Sequence, residues 1–259
     1  MKELSRADRA ELSVVKYILT DIDDTLTDEG KLGAEAYNAL WRLSERGFRV
    51  IPVTGRPAGW CDMIIRQWPV DAVIGENGAF VYYFEDSLLE SFIHPSVADG
   101  NTIKKLQNVF EAVKAEISLV RKAKDQFARI YDLAIDFNED PPRLGYETAV
   151  KIKKICEDHG AEAKISSIHV NTWFGSYSKK DMAVLFMEKR YGLGEDEFRR
   201  QAVFCGDSPN DEPMFGFLPN SFAVANILDF KEILKTEPAY VAPSRGGAGF
   251  VEISELLLG

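Results

Sequence analysis

The sequence predicts an α/β protein with a Rossmann-like parallel-sheet core and an inserted α+β module. Two observations carry the core. Short apolar runs alternate with helical patterns from Val14 to Phe84, and the same rhythm returns after Gly175. Several of these runs stop abruptly in polar or acidic residues, as buried strands do where they open onto a ligand site. A third observation carries the insertion: between Ile103 and Phe174 the pattern becomes helix, one-sided alternation, helix, one-sided alternation, which suits antiparallel strands with one covered face.

Residues 1–13 read as a polar leader, partly disordered. Val14 to Thr20 is the first strand, ending in Asp21, Asp23 and Asp24. Gly33 to Gly47 reads as a helix with Ala36, Leu40 and Leu43 on one face and glycine as its stop. Phe48 to Val53 is a second strand, ending in Thr54-Gly55-Arg56-Pro57, and Ala58 to Trp68 is a helix bounded by prolines. Val70 to Ile74 is a third buried strand, with Phe80 to Phe84 a short one after it. Within the insertion, Ile103–Lys122 and Leu144–His159 are helices, and Phe127–Phe137 and Ala163–Phe174 alternate as strands. Lys180 to Tyr191 then begins the second half of the core. Gln201 to Cys205 is a strand ending in Gly206-Asp-Ser-Pro-Asn-Asp211, and Glu212–Phe217 is a short helix. Ser221–Ala225 and Ala239–Val241 are short strands. Ser244–Gly249 is a flexible connection, and Gly249–Leu258 is the closing helix. The expected division is residues 1–86 and 174–259 for the core and 87–173 for the insertion.

Composition narrows the function. The chain has 259 residues, 46% hydrophobic and 28% charged, with a net charge of −10. An acidic protein is a poor partner for nucleic acid, whose phosphates need basic patches. No apolar run approaches the roughly 18 residues that span a bilayer, and Met1 to Glu11 has no signal-peptide core. Cys61, Cys156 and Cys205 form neither a disulfide framework nor a metal cluster by spacing. A cytoplasmic setting without membrane or nucleic-acid partner is expected; the sequence leaves the oligomeric state open.

Four polar stretches fall at matching places: Asp21 and Asp23 after the first strand, Thr54 after the second, Lys179 or Lys180 before a helix, and Asp207 and Asp211 after a later strand. Side chains two apart on a strand face the same way, so Asp21 and Asp23 can share one small volume. Carboxylates so close are relieved by a hard divalent cation. Carboxylates, a hydroxyl and a lysine at neighbouring strand ends suit phosphoryl transfer. That reaction needs a nucleophile, positive charge on the phosphate and an acid for the leaving group.

Asp21-Ile-Asp-Asp-Thr25, Thr54-Gly-Arg56, Ser178-Lys179 and Gly206-Asp-Ser-Pro-Asn-Asp211 resemble, in order, the four motifs of the haloacid dehalogenase-like (HAD) superfamily. The insertion, and Gly75-Glu-Asn-Gly-Ala79 before it, look like its subfamily IIB, the Cof-like and sucrose-phosphatase-like branch with an α/β cap. The resemblance implies Asp21 as nucleophile and Asp23 as the group that protonates the leaving oxygen and later activates water. It implies Mg²⁺ held by the Asp21 carboxylate, the Asp23 main-chain carbonyl and Asp207, with Asp211 supporting the metal or Lys179. Thr54, Gly55 and Lys179 would hold the phosphoryl group, with Asn210 hydrogen-bonding nearby. Asp24 departs from the family's usual glycine. Lys180 stands where glycine commonly follows the lysine, so Lys179 is the expected phosphate ligand and Lys180 the alternative.

Other positions carry two readings each. Arg56 binds substrate or pairs with Asp62; Asn77 lines the substrate site or only makes a turn with Gly78; Trp173 belongs to cap core or substrate wall. His94, His159 and His169 have no metal-ligand spacing, and Lys151, Lys153 and Lys154 read as a solvated face. The expected function is a Mg²⁺-dependent phosphatase acting on a small phosphorylated metabolite, by resemblance a sugar phosphate, through an aspartyl-phosphate. The alternatives are a phosphomannomutase-like phosphomutase and a non-catalytic phosphate-binding module.

Overall fold

The computed structural model describes residues 1–97, 102–166 and 168–259. Its centre is a six-stranded parallel sheet in the order Lys2–Glu3, Tyr240–Val241, Ser221–Ala223, Ala202–Gly206, Tyr17–Thr20, Arg49–Pro52. Tyr17–Thr20 lies between two neighbours, with Leu19 in register with Phe204 and with Ile51. All four of its residues are buried, because helices cover both faces of the sheet. Ile18 enters a cluster with Leu40, Leu43, Ile64, Phe250 and Ile253 from the helices Ala34–Glu45, Ala58–Gln67 and Gly246–Leu258. Tyr17 and Leu19 face the opposite layer, where Met182, Phe186, Phe198 and Met214 come from Lys179–Tyr191, Glu195–Gln201 and Glu212–Phe217. The expected α/β class with a parallel core is the one observed.

A four-stranded antiparallel sheet follows the order Glu162–Ile165, His169–Trp173, Asp132–Asp136, Arg121–Lys122. Its Leu133, Ile135, Ala163 and Val170 form a separate apolar cluster with Leu106, Val109 and Val113 of the helix Thr102–Glu116 and Ile152 of the helix Tyr146–Asp158. Among the described residues no helix is long and apolar enough to cross a membrane.

Several expectations need correction. The N-terminal segment is ordered: Lys2–Glu3 pairs with Tyr240–Val241 at the sheet edge, and Leu4 and Leu12 are buried. The third core strand, Ala72–Gly75, does lie parallel beside Arg49–Pro52, through the bridge Val53–Ile74 and the bonds of Asp71 N–H to Val50 O and Thr54 N–H to Ile74 O, both 2.9 Å. On its other side it also heads an antiparallel sheet with Phe80–Glu85 and Leu88–Ile93, which the reading did not foresee. Phe127–Phe137 is not one strand; Lys124–Ala128 is a 3₁₀ turn with Phe127 exposed, and the strand begins at Asp132. Ala163–Phe174 is a hairpin of two strands. The helix Glu195–Gln201 escaped the reading because its seven residues carry a single buried position, Phe198, too few to show a period. The Ser244–Gly249 stretch is mostly the first turn of the closing helix, not a loose connection. Its glycines let that turn press on the hairpin at Thr27–Asp28, where a Cβ on Gly246 would stand 1.9 Å from Asp28 Oδ1.

Candidate active site

The site grows from the carboxyl ends of three parallel strands. Asp21 extends the first strand, its N–H donating to Cys205 O at 2.8 Å. The chain then turns sharply: the amides of Leu26 and Thr27 both return to Ile22 O, at 2.9 and 3.0 Å. Asp24 takes φ 56° in this turn, a left-handed conformation that glycine adopts freely and aspartate less so. After Ala202–Gly206, the turn Pro209–Asp211 brings Asp211 back so that its Oδ2 accepts the Asp207 N–H at 3.1 Å. Gly206 permits the approach, since a Cβ there would lie 2.4 Å from Asp211 Oδ2.

Lys179 opens the helix Lys179–Tyr191, where Ser178 is the N-cap. The Ser178 hydroxyl accepts the Asp181 N–H and donates to Asp181 Oδ2 at 2.6 Å, a reciprocal cap that fixes the first turn. The Lys179 ammonium therefore points inward, 2.9 Å from Asp21 Oδ2 and 3.0 Å from Asp211 Oδ1. Lys180 is 40% exposed and lies 3.6 Å from Asp181. Adjacent helical side chains diverge by about 100°, so only one of the pair reaches the site, and it is Lys179.

Asp21, Asp207 and Asp211 each offer an oxygen within 4.8 Å of the others, and all three are buried. Burial, with Asp211 and Asp23 nearby, pushes the Asp21 carboxyl up to about 7 against the pull of Lys179. Burial, then Asp211 and Asp21, pushes Asp207 up to about 9. Burial disfavours the Lys179 ammonium, but Asp21 and Asp211 outweigh it and hold its pKa above the usual lysine value. Three carboxylates share one ammonium, so the cluster lacks positive charge. An all-oxygen donor set with that deficit fits a hard divalent cation. Thr25 supports the cluster, its hydroxyl donating to Asp207 Oδ1 at 3.0 Å.

The other predicted residues surround this centre. Thr54 is buried, and its Oγ1 accepts the Arg56 N–H at 3.0 Å. Arg56 does not pair with Asp62, which binds Arg66 one helical turn on. Arg56 grips both oxygens of Asp23 through Nε, at 2.9 and 3.1 Å, and lies over the Trp60 ring. The Asp23 carboxylate thus stands outside the cluster that Lys179 organises. Asn77 is buried at φ 60°, beside Gly55, with its Nδ2 unpartnered. Trp173 is 1% exposed, stacks on Tyr177 and packs with the core cluster rather than with the antiparallel sheet's own apolar cluster. Asn210 is half-buried, its Oδ1 accepting from Ser208 Oγ at 3.1 Å.

Two residues near the site carried no role in the sequence reading. Glu76 is fully buried and its carboxylate accepts the N–H groups of Ala58, Ile130, Tyr131 and Asp132 at 2.6–3.0 Å. Arg129 donates to Gly55 O at 3.1 Å and to Asp132 and Asp125. Burial, reinforced by Asp132, pushes the Glu76 carboxyl up to about 7 although the N–H donors oppose it. A charged residue directly after a buried strand was the visible signal for Glu76. Arg129 had none: it lies in the Phe127–Phe137 stretch read as a single strand, which hides its turn-like pairing with Asp125 and Asp132, and Gly55 is 74 residues away.

Solved structures share this architecture. Protein 0175 of Thermoplasma acidophilum aligns over 93% of this chain and 99% of its own at 20% identity, with a TM-score of 0.71. The sucrose-phosphatase of Synechocystis sp. PCC6803 aligns over 93% and 97% at 16% identity, with a TM-score of 0.63. The HAD subclass IIB sugar phosphatase BT4131 aligns over 88% and 93% at 14% identity, with a TM-score of 0.61. No curated protein matches the sequence. At these identities the likeness is one of fold. The sequence itself matches the model of the haloacid dehalogenase-like hydrolases over residues 18–151. That span is more than half of the chain and includes the Asp21 and Thr54 loops, so this protein belongs to the haloacid dehalogenase-like hydrolases.

Proposed function

We propose that the protein is a Mg²⁺-dependent phosphatase of the subclass IIB kind, acting in the cytoplasm on a small phosphorylated metabolite such as a sugar phosphate. The observation that carries this reading is the Lys179 ammonium held between Asp21 and Asp211, with Asp207 alongside, at the open ends of the parallel strands. Asp21, Asp207 and Asp211 would hold the cation together with the Asp23 main-chain carbonyl. Bound there, Mg²⁺ supplies charge neutralisation for the phosphate.

Asp21 Oδ attacks phosphorus as the ester P–O bond breaks, giving an aspartyl-phosphate. Asp23 gives its proton to the departing alkoxide. Asp23 then takes a proton from water, whose oxygen attacks phosphorus, and the P–O bond to Asp21 breaks to release phosphate. Lys179 and the Thr54-Gly55 loop stabilise the charge on the equatorial oxygens, with Asn210 close by. In this scheme Arg56 must loosen its grip on Asp23 before proton transfer, which makes substrate arrival and acid release one event.

Residues 87–173 act as a cap over this site, with junctions at Tyr83–Asp86 and Phe174–Ser178. The bonds of Glu76 to residues 130–132 and of Arg129 to Gly55 support this, since they tie the segment to the rim of the phosphate loop. The free, buried thiols of Cys61, Cys156 and Cys205 suit a reducing compartment. The test is phosphate release from p-nitrophenyl phosphate and a panel of phosphorylated metabolites, with and without Mg²⁺. Release without any activating bisphosphate supports a phosphatase; a strict bisphosphate requirement would favour the mutase, and no turnover would sink the enzyme reading.

A further inference from the structure

Opposite Thr54, Gly55 and Lys179 lies the antiparallel sheet, and its two faces differ. Leu133, Ile135, Ala163 and Val170 point to its own helices. Strand alternation places Ala134, Lys164 and Asn171 on the other face. These three form one row across the sheet: Lys164 is in register with Asn171, and Asn171 with Ala134. Directly opposed residues of an antiparallel pair are side-chain neighbours. Asn171 fixes where this row points. A Cβ on Gly55 would lie 3.3 Å from Asn171 Nδ2 and 3.1 Å from Asn77 Oδ1. The row therefore looks onto the phosphate loop.

Two buried polar atoms there lack protein partners, and Lys164 stands in register beside one of them. Asn171 Oδ1 and Asn77 Nδ2 are buried and unbonded. Lys164 is half-buried, and its side chain has neither hydrogen bond nor ion pair among the described residues. A lysine that merely covers apolar surface keeps its ammonium in water. The Lys164 ammonium behaves otherwise: burial first, then the Lys179 charge, depress its pKa, while the more distant charges of Asp211 and Glu162 pull the other way. It is therefore partly desolvated and lies within the field of the catalytic cluster. A desolvated cation with no counter-ion is costly, and a hydroxyl offsets that cost far less than an anion does.

We infer that Lys164, flanked by Asn171 and Asn77, is a specificity subsite for a second anionic group on the substrate. The substrate class is a small phosphate monoester whose alcohol carries a carboxylate or a second phosphate. This rests on the phosphatase reading above and narrows it. The transferring phosphoryl sits on the core side, with Asp21 and Lys179. Lys164 faces it from the opposing sheet, where the leaving group must lie. Asn171 and Asn77 would hold a hydroxyl or the anion's remaining oxygens.

The experiment compares matched substrate pairs in the full-length enzyme with Mg²⁺. Glycerol 2-phosphate and 2-phosphoglycerate differ by a carboxylate; glucose 6-phosphate and glucose 1,6-bisphosphate differ by a phosphate. The wild type should favour the anionic member of at least one pair by about 10–100-fold in kcat/KM, the range expected for a hydrogen bond to a charged group. Lys164→Met should remove that preference, chiefly through KM, and Lys164→Arg should retain most of it. Asn171→Asp, which places a carboxylate beside the ammonium, should also abolish it. The pair that shows the preference tells carboxylate from phosphate. No preference in either pair, or an equal loss on both members in Lys164→Met, overturns the subsite. Turnover of p-nitrophenyl phosphate by the same preparation separates that failure from failure of the phosphatase reading, which would show as no phosphate from any substrate.

Discussion

The sharpest test contrasts two adjacent lysines. Lys179 is 4% exposed between Asp21 and Asp211; Lys180 is 40% exposed beside Asp181. Replacing Lys179 by alanine removes the ammonium and leaves two buried carboxylates facing each other near Asp207. Breaking a buried pair by deleting one partner costs about 3–5 kcal/mol, because the remaining charge is uncompensated. For a chain of this size that is a fall in Tm of roughly 6–20 °C. Mg²⁺ should recover part of the loss by supplying the missing positive charge. Catalysis should fall further, since a preorganised donor to the transferring phosphoryl is worth about 10²–10³-fold. Lys180→Ala removes only an exposed pair, so its stability should change by less than about 0.5 kcal/mol and its turnover by little. The assay is thermal melting of both variants in EDTA and in Mg²⁺, paired with kcat/KM on one substrate. Equal effects of the two substitutions, or the reverse order, would refute the reasoning.

Other outcomes follow from the same geometry. Asp21→Asn should abolish covalent phosphorylation. Asp23→Asn should keep phosphorylation by an activated ester but slow turnover by about 10²–10⁴-fold; labelled phosphoenzyme on Asp21→Asn would reverse the assignment. Glu76→Ala strands four N–H groups, of Ala58, Ile130, Tyr131 and Asp132, so denaturant unfolding should show a loss of at least about 3 kcal/mol; a loss under 1 kcal/mol would mean that water replaces the carboxylate at little cost. In metal-free protein, Asp21, Asp207 and Glu76 have pKa values raised above their unfolded values. The folded state then binds more protons than the unfolded one, and stability should fall as pH rises from about 4 towards 9. Mg²⁺ should flatten the part due to Asp21 and Asp207, and a Tm that climbs with pH in EDTA would contradict the burial argument.

What the sequence determined by itself was periodic or local. Continuous apolar runs such as Tyr17–Leu19 announced strands buried on both faces, because such strands have no polar side to display. The carboxylates after them announced a site, since charge at the end of a buried run needs a partner. The one-sided alternation after Ile103 announced antiparallel strands. The tertiary structure decided whatever depends on meetings across the chain. Arg56 chose Asp23 over Asp62 because the loop after the second strand folds back over the first, whereas Asp62 has Arg66 one turn away on its own helix. The N-terminal residues became an edge strand only because Tyr240–Val241 was there to pair with. Glu76, Arg129 and Asn171 took their places from burial between segments more than 50 residues apart, and Lys164 from its register with Asn171 on the neighbouring strand. Neither depends on spacing along the chain, so no period in the sequence could record them.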